Sequence, residues 1–170
     1  MKLKKLQFTV LLTLLLAWVA LAQTPQVSLK GTDGAAISAA ELHGKVTVLS
    51  FGATWVPLVA KELPALQKLA ERYAGRGVQV YWVSVNSATA GARGYMADAD
   101  LSAFAQKGGF RGRVLRDLDR GAYRAYGVDA LPTIVILNKD GSVARKLVGF
   151  DPDQSEAYGA VMKELDQLLK

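Results

Sequence analysis

The sequence contains no cysteine and only one histidine, His43. Without a thiol the chain forms no disulfide, offers no thiolate nucleophile, gives no sulfur ligand to zinc or an iron-sulfur cluster, and takes no lipid on sulfur. A single imidazole excludes a histidine-rich metal site. Ser50, Ser84 and Ser87 have no nearby histidine in sequence and no G-x-S-x-G setting, so a hydrolase nucleophile is not indicated. His43 stands in Leu42-His43-Gly44-Lys45, which reads as a surface turn. Charge is modest too, with 21% charged against 51% hydrophobic residues in 170. That composition excludes a disordered chain, and the length fits one domain of about 100–200 residues.

The formal charge of +6 is partly concentrated at the start, where Lys2, Lys4 and Lys5 precede an apolar run from Leu6 to Ala22 ending in Ala20-Leu21-Ala22. A basic start, a Leu-rich middle and small residues at 20 and 22 predict a secretory signal peptide over residues 1–22, cleaved before Gln23. The alternative is an uncleaved anchor, but Gln7, Thr9 and Thr13 interrupt a run already shorter than the ~20 apolar residues of a typical span. Removing those three lysines from 21 basic residues leaves 18 against 15 acidic ones, so the exported chain carries +3. A nucleic-acid partner is not expected. Membrane contact is expected only through the signal segment if it stays in place.

Residues 23–170 show no repeat and alternate strands with helices. Val46–Phe51 and Val78–Val85 are β-branched and aromatic with apolar residues on both faces, as in central parallel strands covered on both sides. Between them Val59, Leu63, Leu66, Ala70 and Tyr73 recur at helical spacing, with Lys61, Glu62, Lys68 and Glu71 assigned to the other faces. Shorter helices are predicted over Asp100–Lys107 and Leu118–Tyr126. A terminal helix is predicted over Ser155–Leu169, with Ser155 as N-cap. Thr133–Leu137 and Val143–Val148 flank Asn138-Lys139-Asp140-Gly141 and predict an antiparallel hairpin. Together these elements predict an α/β fold of three layers, a mixed central sheet with helices on both faces.

The segment from Phe51 to Pro64, FGATWVPLVAKELP, resembles the active-site segment F-W-A-T-W-C-P-P-C-x-x-E-L-P of thioredoxin-fold proteins of the TlpA, ResA and CcmG type. Tyr126-Gly127-Val128, followed by Leu131-Pro132-Thr133 and the hairpin, is similar to the second motif of that family, Y-G-V-x-x-x-P-T. Two motifs in the right order are fairly specific. The resemblance implies a thioredoxin-like fold over nearly the whole of residues 23–170 and descent from thiol-disulfide oxidoreductases, and the signal segment implies an extracytoplasmic place such as the periplasm. Valines, Val56 and Val59, occupy both cysteine positions, so dithiol exchange through a thiolate and a mixed disulfide is chemically closed to this chain. By the same alignment Ser50 stands where relatives carry Asp or Asn. Asn86 or Ser87 stands where they carry a proton-transferring Glu, so that acid is expected to be missing. The tract from Asn86 to Gly91 then reads as a flexible connection.

What the resemblance leaves is a binding surface. Pro132 matches the family's cis-proline, and the residue before it, Leu131, matches the position whose backbone pairs with an extended substrate strand, a mode that needs no cysteine. Trp55, Val56, Pro57, Leu58, Leu131 and Pro132 are therefore the candidate binding residues, with an extended peptide or envelope protein as partner and no catalytic residue. The competing readings are a component of a thiol-disulfide redox pathway, as the family implies, and a structural remnant whose motif residues only hold shape. Pro64, eight residues after Val56, is assigned to helix shape. The basic stretch containing Lys107, Phe110, Arg111, Arg113 and Arg116 reads as a solvated surface. Asp117 and Asp119, like Asp151 and Asp153, have D-x-D spacing without the Gly and closing Glu of a calcium loop, so no metal and no cofactor are expected.

Overall fold

Successive residues of a strand face opposite sides of a sheet, and a strand apolar at every position therefore needs cover on both sides. Val46–Gly52, VTVLSFG, is buried at every residue, and it lies at the centre of the molecule. A computed structural model describes residues 27–153 and 158–170. Its strands are β1 (Ser28–Gly31), β2 (Ala36–Ser38), β3 (Val46–Gly52), β4 (Val78–Ser84), β5 (Arg113–Arg116), β6 (Thr133–Leu137) and β7 (Val143–Val148). They form one sheet in the order β2-β1-β5-β4-β3-β6-β7. The neighbours β3, β4 and β5 run parallel, and the flanking strands are antiparallel. The expected hairpin and parallel pair are both present.

The helices are α1 (Ala39–Leu42), α2 (Pro57–Tyr73), α3 (Asp98–Lys107), α4 (Gly121–Ala125) and α5 (Gly159–Leu168). On one face Val59, Leu63 and Leu66 of α2, Leu101 and Ala105 of α3, and Val161 and Leu165 of α5 cover Val46, Val48, Trp82 and Ile134. On the other, Leu42 of α1 and Ala122 of α4 join Tyr126 and Val128 over Leu49, Phe51, Val83 and Leu115. Each buried Val, Leu, Ile or Phe among them contributes about 1.5–3 kcal/mol. The result is the three-layer α/β arrangement expected, with a thioredoxin-like sheet. Pro64 lies inside α2, as anticipated.

Three details differ from expectation. The short strands β1, β2 and β5 were not foreseen. Glu62 belongs to the buried stripe of α2, with 1% of its surface exposed, not to a polar face. It lies three residues after Val59 and four before Leu66, so helical geometry places it between them. Phe110 and Arg116, read as part of a solvated stretch, are also buried, Phe110 in the core and Arg116 bonded to Asp98, to the Met96 carbonyl and, at 3.4 Å, to the Asn86 carbonyl. The signal segment and the Ser155 N-cap lie outside the described residues. Among the described residues no helix is long and apolar enough to cross a membrane.

Candidate functional site

The motif loop leaves the carboxyl end of β3. Val56 caps α2 in an extended conformation, and Pro57 follows at the first helical position, where a missing N–H costs nothing. The Val56 N–H donates to the Ala53 carbonyl at 3.1 Å and the Val59 N–H to the Val56 carbonyl at 3.0 Å. Trp55 is 50% exposed and Leu58 37% exposed, with Pro57 exposed between them. Val56 is half-buried and touches both halves of the core, while Val59 is fully buried. The two positions thus differ sharply: position 56 borders solvent and position 59 is core.

Pairing of Phe51 with Thr133 brings the 131–132 segment alongside the motif loop. The Leu131–Pro132 peptide bond is cis. Leu131 is half-buried, and among the described residues its main-chain N–H and C=O have no hydrogen-bond partner. Pro132 is buried, and its carbonyl accepts from the Gly149 N–H at 2.8 Å. Of the six candidate binding residues, Trp55, Pro57 and Leu58 are therefore exposed, Val56 and Leu131 line the edge, and Pro132 supports from beneath.

Asn86 is a fixed post at this site, where a flexible connection was expected. Its side chain is buried and accepts from the Thr54 N–H at 3.1 Å and the Ser84 hydroxyl at 2.9 Å. Its amide donates to Thr54 Oγ1 at 2.8 Å and to the Gly94 carbonyl at 3.1 Å. One side chain thus ties the loop after β3 to the loop after β4. Gly94 has φ +73° and lies against the Trp55 ring, where a Cβ would stand 2.5 Å from the indole. Only glycine combines that backbone with that approach.

Ser50 and Glu62 meet beneath the motif. The Ser50 hydroxyl donates to Glu62 Oε1 at 3.0 Å and the Tyr158 hydroxyl donates to the same oxygen at 2.6 Å, whereas Oε2 has no partner. Burial pushes the Glu62 carboxyl up to about 7, against the pull of those two hydrogen bonds. Burial and the adjacent Glu62 carboxylate together hold the Tyr158 hydroxyl well above the ordinary tyrosine range. The acid expected to be missing was one at Asn86 or Ser87, and neither position is acidic, but a buried carboxyl nearby was not foreseen. It lies a turn of α2 beyond Val59, and its helical spacing in the sequence was the signal that could have located it.

A cleft of about 530 Å³ opens beside Trp55, lined also by Arg93, Gly94 and Arg120. Sequence reasoning singled out neither arginine. Asp117, one of the two D-x-D aspartates preceding Arg120, is buried and accepts the N–H groups of Ala122 and Tyr123, so it holds the start of α4.

Residues 21–146 match the AhpC/TSA family. The chain belongs to the AhpC/TSA family. Among curated proteins this AhpC/TSA chain is 26% identical over 137 residues to the thiol-disulfide oxidoreductase ResA of Bacillus thuringiensis strain Al Hakam, covering 80% of this chain and 74% of that one. Among solved structures it superposes on the exposed lipoprotein thioredoxin Etrx1 of Streptococcus pneumoniae with a TM-score of 0.64 and 25% identity, covering 82% and 98% of the two chains. A secreted disulfide oxidoreductase of Mycobacterium tuberculosis homologous to E. coli DsbE gives a TM-score of 0.67 at 20% identity, covering 86% and 99%. The fold and the resemblance to thiol-disulfide oxidoreductases therefore stand, in a member that has no cysteine at all.

Proposed function

We propose that this AhpC/TSA-family protein is an exported, non-catalytic binding module that holds an extended peptide segment of an envelope protein in the groove between the motif loop and Leu131. The observation that carries this reading is the pairing of exposed Trp55 and Leu58 with an unpartnered Leu131 main chain, at a motif whose two thiol positions are valine. Apolar side chains beside free main-chain donors and acceptors suit addition of a strand. Loss of thiols removes turnover but leaves that mode intact. Export is supported by the basic and apolar start of the sequence and by relatives named as a secreted protein and an exposed lipoprotein.

The test is an array of extended peptides probed with the full chain and with Leu58→Asp and Leu131→Asp. Binding to a subset of peptides, weakened at least about tenfold by either change, is expected, since a buried unpaired charge is costly. Binding indifferent to both substitutions removes the groove from the reading. Expression with the native start followed by N-terminal sequencing of the extracytoplasmic fraction should give Gln23 as first residue.

A further inference from the structure

In open α/β sheets ligands collect beyond the carboxyl ends of the parallel strands, where successive loops converge. Here β3, β4 and β5 are the parallel trio, and the loop after each one contributes one side chain to the same cleft: Trp55, Arg93 and Arg120. Both arginines are exposed. Among the described residues neither guanidinium forms an ion pair or a side-chain hydrogen bond. The nearby carboxylates are otherwise engaged. Asp98 pairs with Arg116, Asp117 holds the Ala122 and Tyr123 N–H groups of α4, and Asp119 accepts from the Gly121 N–H. The cleft therefore carries two guanidinium groups without an ion-pair partner among the described residues, beside a half-exposed indole.

Arg120 sharpens the point. Among the described residues it is the one non-glycine with a left-handed backbone, at φ 55°. Such a conformation disfavours side chains, and glycine adopts it freely. The residue present is nonetheless an arginine whose charge has no internal use.

We infer that this cleft takes the carboxylate of an acidic side chain carried by the extended peptide, with Arg93 and Arg120 gripping the carboxylate and Trp55 covering the adjacent apolar stem. The inference rests on the groove reading above and adds the chemistry of its ligand: a segment containing Glu or Asp. Guanidinium matches carboxylate geometry through paired N–H donors, and charge-assisted bonds of this kind are the stronger class.

The experiment measures anisotropy of a labelled hexapeptide of alternating Thr and Glu, and of its counterpart of alternating Thr and Gln, against the full chain. The acidic peptide should bind about tenfold more tightly at low salt, with most of that advantage lost at about 1 M salt, where the Debye length falls to ~3 Å. Arg93→Gln and Arg120→Gly should each reduce the acidic affinity by about threefold to fivefold and leave the amide peptide unchanged, in the range of exposed ion pairs. Because glycine relieves the left-handed backbone, Arg120→Gly folds at least as well as the parent, so its loss cannot be ascribed to unfolding. Equal binding of the two peptides, insensitive to both arginine changes but still abolished by Leu131→Asp, overturns the acidic ligand and leaves the groove. Free glutamate competing as well as the hexapeptide overturns the peptide and leaves an anion site. Failure of both peptides together with indifference to Leu131→Asp removes groove and cleft alike.

Discussion

Glu62 concentrates an unusual amount of constraint in one carboxyl. Oε1 receives two hydroxyl hydrogen bonds, and Oε2 is sealed from water without any. Its ordinary value of 4.5 rises to about 7 in the fold, with burial as the first cause. Between those values the folded chain keeps a proton that the unfolded chain has released, so stability declines as pH rises. The contribution is complete below about 4.5 and levels off above about 7. At about 1.4 kcal/mol per unit the loss is on the order of 3 kcal/mol. Urea unfolding midpoints should therefore fall from pH 5 to pH 8, and Glu62→Gln should flatten that slope. A Gln variant with the parent's slope would place the pH dependence elsewhere. Sequence alone lost this residue because a glutamate on an amphipathic helix is ordinarily counted with the solvent face.

At the scale of the element, the start of α2 keeps the architecture of a redox helix without its sulfur. Positions 56 and 59 are the N-cap and the third helical residue, joined by a 3.0 Å hydrogen bond. Helical rise and radius put Cα atoms three residues apart at about 5 Å, inside the ~4.4–6.8 Å a disulfide needs. Val56→Cys combined with Val59→Cys should fold at a cost below about 1.5 kcal/mol and oxidise within the native chain. The sulfur introduced at 56 sits at a helix N-terminus that favours its thiolate. Thiol titration in an oxidised glutathione buffer should find none free. Two persistent thiols in the folded variant would mean the loop has lost the geometry of its relatives. Strands β3, β4 and β6 were legible from their long apolar runs, and β7 from the Asn138-Lys139-Asp140-Gly141 turn that sets it against β6. β5 was not, since Arg113-Val114-Leu115-Arg116 offers two apolar residues between charges. Arg116 is buried only because Asp98, Met96 and Asn86 come to it from elsewhere in the chain.

Across the whole molecule the sequence motifs located one wall of the candidate site and left the other blank. Trp55, Pro57, Leu58 and Leu131 follow from local patterns, whereas Arg93 and Arg120 acquire meaning only from strand order, which puts the loops after β4 and β5 beside the loop after β3. Asn86 was misjudged for the same reason, because its partners Thr54 and Gly94 lie 32 and 8 residues away. Spacing along a chain does not reveal a post that joins two loops. The arrangement of the cleft separates two things that evolution can then alter independently. Each wall residue hangs from its own loop, outside the sheet, so the proposed preference at 93 and 120 can change while the strands that carry the core stay as they are. A lineage that gave up its sulfur chemistry would keep, in those three loops, a surface still free to acquire new preferences.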